Sequence, residues 1–291
     1  MTHLVQILLL GLALGGVYAL MASGLTLIFG VMGIVNLAHA AFMTLAAYIA
    51  FWAFSLYGVD PILSVVIAMP IMFVLGIVVF QLLFRHLFGD ARSRGMTVLL
   101  TFALALVVEG VMGYFFTNMY RSTSPGYAAS ALLFGPYYLP EAQFYAALMS
   151  IGILGLLWLF LQYTRTGYAI RATMQNRAAA QVVGVNVARI SMLVFGIGMA
   201  LAGASGSMMS FLFTFYPGKH WEWVAILLSL VVLGGMGSLL GALIGALSLA
   251  VVSAYVSSYF GPTWSPVTFY LALFLILLIR PQGLLGNRPE L

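Results

Sequence analysis

The sequence predicts an all-α, polytopic transmembrane helical bundle of eight to ten spans, some of them broken or re-entrant. Three observations carry that expectation. Hydrophobic types make up 64% of the 291 residues and charged types only 6%, against roughly 25% charged in a soluble domain, too little charge to coat a water-facing surface. Apolar runs of about 20 residues, the length that crosses a hydrocarbon core as a helix, follow one another along the whole chain. Within lipid each backbone group must be bonded inside the protein, so runs of this kind can only be helices. Residues 1–291 therefore read as a single transmembrane domain.

The runs fall at 4–33, 38–57, 62–84, 96–118, 143–163, 190–215, 223–235, 238–258 and 266–280. The first is long and broken by glycines, readable as one span or as a span plus a half-helix. It opens on Met1-Thr2-His3, with no basic stretch, and so reads as a retained helix rather than a cleaved leader. Pro70 is placed to kink the third run. Residues 223–258 have room for a re-entrant piece. Gly237, Gly241 and Gly245 recur every fourth position, as do Gly11 and Gly15, a spacing that lets helix backbones approach closely in lipid.

Basic residues orient these runs. Arg85, Arg92 and Arg94 occupy loop 85–95; Arg165, Arg171, Arg177 and Arg189 occupy loop 164–189; Arg280 and Arg288 lie in the tail. Lys and Arg in short loops mark the cytoplasmic side, so these three places, the C-terminus included, are expected there. The opposite loops 58–61, 119–142 and 216–222 carry only Arg121 and Lys219 beside Asp60, Glu141 and Glu222. The net charge of +5 is thus a matter of topology, and no nucleic-acid partner is expected. Trp221, Trp223 and Trp264 fall at outward ends of runs and read equally as an interfacial aromatic belt or as plain packing.

The chain has no cysteine, which removes disulfides, thiolate metal sites and cysteine nucleophiles together. His3, His39, His86 and His220 are scattered without HExxH spacing, so neither metal nor cofactor is expected. Lys219 is the sole lysine, and no GxxxxGK[ST] loop is present to cradle phosphate. Gly203-Ala204-Ser205-Gly206 matches the GxSG of rhomboid-type intramembrane serine proteases. A serine nucleophile needs a histidine base within reach, and the one downstream histidine, His220, lies in an outer loop among charged neighbours. Helix packing explains those small residues better.

Three polar residues stand out at membrane depth. Glu109 lies inside the run 96–118. An acid at the middle of a lipid-embedded helix costs roughly 2.5–3.5 kcal/mol on insertion scales and turns toward the protein interior or a water-filled cavity. It reads either as a pathway or gating residue or as an acid hydrogen-bonded between helices. Asn36 and His39 sit just before the second run, either lining a pathway at a break in the helix or bonding locally between one helix and the next. As the only candidate acid at depth, Glu109 gives little support to an ion-coupled secondary transporter, the main rival reading.

The loop 164–189 places Ile170, Met174, Ala178 and Val182 every fourth residue, with Arg171, Gln175 and Gln181 off that stripe and Gly184 as a terminator. This predicts one short amphipathic helix, either lying on anionic lipid or docking a soluble partner.

The same loop resembles the coupling loop of permease subunits in the branched-chain amino-acid family of ABC importers. So do Gly24-Leu25-Thr26-Leu27-Ile28-Phe29-Gly30 leading into Asn36-Leu37-Ala38-His39-Ala40, Gly234-Gly235-Met236-Gly237-Ser238 ahead of Gly241-Ala242, and Arg280-Pro281-Gln282-Gly283-Leu284-Leu285-Gly286. Together these stretches cover both halves of the chain, and they are more similar to the first of the two paired permeases (the LivH type). One position departs: Ala40 stands where the family usually has glycine. The resemblance implies a subunit of the bacterial inner membrane that forms a pathway with a second permease. Two cytoplasmic ATPases would use the ATP, and a periplasmic binding protein would deliver the solute. It implies ATPase-coupling roles for Gly167, Ile170, Arg171, Ala172, Met174, Arg177, Ala179 and Gly184. Branched-chain amino acids lead as substrates, with other amino acids, urea, short amides and aromatic acids open.

Overall fold

The computed structural model describes residues 2–85 and 93–286. His86, Arg92, Arg288 and the side chain of Arg94 lie outside the described residues. The helices are α1 (Thr2–Met32), α2 (His39–Tyr57), α3 (Ser64–Val79), α4 (Ser93–Phe116), α5 (Glu141–Tyr163), α6 (Arg165–Gln175), α7 (Arg177–Val182), α8 (Val187–Leu212), α9 (His220–Gly234), α10 (Leu239–Phe260) and α11 (Ser265–Ile279). A π-helical turn, Phe80–Phe84, prolongs α3. Eight segments among the described residues are long and apolar enough to cross a membrane: α1, α2, α3 with its π turn, α4, α5, α8, α10, and Pro262–Ile279. The ninth candidate, α9, has 15 residues, about 22 Å of helix.

Helix α1 is continuous, not glycine-broken. Its glycines are points of close approach: a Cβ on Gly11 would meet the Val251 backbone of α10 at 2.8 Å, and one on Gly24 the Gly198 carbonyl of α8 at 2.7 Å. With their own helix's bonds intact, such residues let backbones meet without a break. Pro70 likewise lies inside α3 without interrupting it. The bundle is built around α8 and α1. In α8, 72% of the most apolar 18-residue stretch is buried, and in α1 56%, against 22% in α4 and 6% in Pro262–Ile279. Helices α2 and α3 pack on α8, while α5 and α10 pack on α1.

The all-α expectation misses one hairpin. Strands β1 (Ala131–Phe134) and β2 (Tyr137–Pro140) pair antiparallel, with Phe134 opposite Tyr137. Gly135 takes φ +62° at the first central position of the turn, where a side chain would be strained. Gln6 exchanges two bonds with Tyr138, its Nε2 donating to the carbonyl at 2.6 Å and its Oε1 accepting from the amide at 3.0 Å. The start of α1 therefore lies at the hairpin end. Tyr127 donates to Asp60 at 2.9 Å, and Arg121 and Phe215 exchange backbone bonds of 2.8 and 2.9 Å. Burial and the neighbouring Asp60 carboxylate raise the Tyr127 phenol well above its usual value. Arg121, the odd arginine of this end, holds its guanidinium 5.1 Å from the Phe51 ring centre and 5.4 Å from that of Trp52, a cation–π cage.

At the opposite end α6, the end of α1, the 235–238 turn and residues 283–286 converge. Gly30 faces Met174 of α6 and Gly237. Leu284 N donates to Leu233 O at 2.8 Å and Leu285 N to Gly234 O at 3.1 Å. Of the glycine triad, Gly241 and Gly245 press α10 against the last turn of α9, whereas Gly237 sits in the turn before α10 with φ +86°. For Trp223 the packing reading holds: it is buried, edge-on to Tyr18 and Phe213. Trp264 is exposed between α10 and α11.

Candidate functional site

Helix α1 stops at Met32, Gly33 turns with φ +67°, and residues 33–36 run without helix before α2 begins at His39. Asn36 and His39 are 2% and 1% exposed. Backbone joins them, His39 N donating to Asn36 O at 3.1 Å. Neither side-chain polar atom of Asn36 makes a hydrogen bond, and the His39 ring interacts with the Met21 backbone. An orphaned buried polar group costs roughly 1–3 kcal/mol, so the buried Asn36 amide is a costly position. The His39 ring stands against Gly24, where a Cβ would come within 2.9 Å of Cε1. Leu25, Leu37 and Ala40 face Val224, Leu227 and Leu228 of α9 across a seam too narrow for water.

Trp221, Val224, Ala225 and Leu228 are half-buried while Trp223, Ile226, Leu227 and Leu230 are buried, so the first two turns of α9 present one less-buried face. Glu109 of α4 stands at the start of that face. Trp221 Nε1 donates to Glu109 Oε2 at 3.0 Å. His220 Nε2 lies 3.9 Å from the same oxygen, and Gly218 passes beside Oε1, where a Cβ would sit 3.3 Å away. Lys219 pairs instead with Glu222 at 3.0 Å. Of the two readings of Glu109, hydrogen bonding between elements is present, yet its side chain remains 30% exposed.

The loop 164–186 forms two helices, not one. Asn176 breaks α6 from α7 with φ −152° and ψ 107°, and its Oδ1 accepts from Ala179 N at 2.9 Å. A side chain that bonds its own backbone competes with helix continuation. The apolar stripe therefore splits: Ile170 is buried, Met174 packs into the notch of Gly30 and Gly237, and Ala178 and Val182 are exposed. Gly167 is buried under the Phe160 and Leu161 carbonyls, where a Cβ would collide. Arg171 is drawn back onto α5, donating to Gln162 Oε1 at 2.6 Å and stacking on Tyr168. Burial lowers the pKa of Arg177. Ala172 is half-buried, and Ala178, Ala179, Val182, Val183 and Gly184 form an exposed apolar tip.

A family model described as "Branched-chain amino acid transport system / permease component" matches residues 7–279. The chain belongs to this permease family. It is 30% identical to the high-affinity branched-chain amino acid transport system permease protein BraD of Pseudomonas aeruginosa, over 99% of this chain and 97% of that one. It is 28% identical to the corresponding LivH protein of Escherichia coli K12, over 96% and 94%. Among solved structures, PsaBC from Streptococcus pneumoniae in complex with Fab superposes with a TM-score of 0.51 at 15% identity, covering 95% of this chain and 92% of that one, a likeness of fold.

The permease carries its small-residue GxSG stretch inside α8, where Ser205 Oγ donates to Leu201 O at 2.8 Å. His220 Nδ1 bonds the Pro217 carbonyl at 2.8 Å. Sequence reasoning missed the grouping of His220 and Trp221 with Glu109. The one signal available was that an acid at membrane depth must find polar partners.

Proposed function

We propose that this permease carries a branched-chain or related amino acid across the bacterial inner membrane, as one half of a pathway shared with a second permease. Two separate ATPase subunits supply the energy, and a periplasmic binding protein delivers the solute. The observation that carries the reading is the family match over 7–279, with relatives named for this transport aligned along nearly the whole chain. A subunit without a GxxxxGK[ST] loop needs its ATPase on another chain.

In this reading the α6–α7 end, with the C-terminus, is cytoplasmic and the hairpin end faces the binding protein. Gly167, Ile170 and Arg171 fix α6 against α5. The tip from Ala178 to Gly184 meets the ATPase, and Met174 passes its movement to the end of α1. That displacement reaches the 33–38 segment and opens the seam at Asn36 and His39, with Glu109 at the far mouth.

Purification from the native membrane in mild detergent, with co-purifying chains weighed, is the first test. ATPase subunits and a second permease are expected. A species containing this chain alone, with uptake lost on collapsing the proton gradient while ATP is maintained, overturns the reading in favour of an ion-coupled carrier.

A further inference from the structure

The contact between Glu109 and His220 is incomplete. Nδ1 of His220 faces the Pro217 carbonyl at 2.8 Å. A carbonyl can only accept, so Nδ1 carries the proton, and in the neutral ring Nε2 is left as an acceptor. Nε2 is buried without a hydrogen-bond partner, and it looks across 3.9 Å at Glu109 Oε2, another acceptor. The ring itself is 0% exposed. With the ring neutral and Glu109 ionised, two acceptors face one gap with no hydrogen between them.

The surroundings narrow what fits that gap. Glu109 lies about 10 Å from the end of α4 at Phe116, and a part-exposed carboxylate at that depth faces water or another protein group, not lipid. Trp221 and Phe102 stand together, ring centres 5.3 Å apart, and Phe102 is exposed. A carboxylate beside aromatic faces attracts an organic cation through charge and ring quadrupole together. Lys219 is already paired to Glu222, and Arg121 is held against Phe51 and Trp52, so neither of these cations fills the gap.

We infer that Glu109, His220 and Trp221 form a station for a primary ammonium group, the amine end of a zwitterionic solute received at the start of α9. The ammonium donates to Glu109 Oε2 and His220 Nε2, while Trp221 Nε1 holds the carboxylate in place. The inference rests on the proposed transport of an amino acid and adds where its charged end is received.

The test uses the permease assembled with its ATPases and second permease. Because the chain has no cysteine, Phe102→Cys gives a single reporter on this subunit. Its labelling by a cationic and an anionic methanethiosulfonate is compared with that in Phe102→Cys/Glu109→Gln. The cation-to-anion rate ratio is expected to fall about tenfold on losing the carboxylate. Leucine uptake by Glu109→Gln is expected to fall about tenfold while Glu109→Asp keeps most of it, a change of about 1.4 kcal/mol. Gln keeps an acceptor for Trp221, so a purely structural role predicts normal uptake. An unlabelled cysteine, an unchanged ratio or normal uptake by Glu109→Gln overturns the station. ATP-driven leucine uptake by the unaltered complex alongside any of these leaves the transport reading standing; its absence sinks that reading, while the labelling ratio still reads the station.

Discussion

Single residues show how close the backbones of this bundle run. A Cβ on Gly206 would overlap the Met43 carbonyl and crowd Ala46, and α2 cannot retreat because it is packed along α8. Gly206→Val should therefore destabilise the purified chain by about 1–3 kcal/mol, read as a lower melting temperature in detergent. Gly155→Ala, inside α5 with open space beside it, should hold melting or raise it slightly, since alanine is the better helix former. The sequence made Glu109 legible as a residue in need of company, but not the company itself. Its partners lie on a turn more than a hundred residues away in the chain, and His220 and Trp221 read locally as an outer loop and an interfacial aromatic. The two readings of Trp223 cannot be separated in the sequence for the same reason: its neighbours Tyr18 and Phe213 come from other elements, and apolar runs do not say which face turns inward.

At the level of elements, the α6–α7 pair divides its labour at Asn176. Everything before the break is anchored, with Gly167, Ile170 and Met174 seated on α5 and α1. After it Ala178, Ala179, Val182 and Val183 project, Val182 being 87% exposed and Val183 77%, while Ala180 stays buried. Val182→Asp should leave the fold intact and cut ATPase co-purification at least about tenfold, since desolvating an unpaired charge in an apolar contact costs a few kcal/mol. Arg171→Glu should act differently. It breaks the bond to Gln162 and the stack on Tyr168, so uptake should fall with ATPase still bound. Equal ATPase retention and equal uptake in both variants would refute this division. Long apolar runs announced the spans, with ends a few residues off, because transfer to lipid acts on total apolar length. The hairpin, the unbroken α1 and the break at Asn176 were not legible. Each depends on a few local backbone choices that hydropathy does not register.

On the scale of the whole molecule, the lightly buried α4 and α11 leave broad apolar flanks exposed. An epitope inserted at Gly135 should be reached from the periplasm in intact spheroplasts, and one at Gly184 only in inverted vesicles; the reverse result would invert the assigned orientation. The backbone bonds from Leu284 and Leu285 to the carbonyls at the end of α9 bear on how the protein is made. Helix α9 leaves the ribosome well before those donors do, so during synthesis its last carbonyls wait unmatched while α10 and α11 are inserted. A nascent chain halted before Gly283 lacks both bonds and leaves the end of α9 tied only by its own helix. Such a chain would be open to the proteases that clear unfinished membrane proteins.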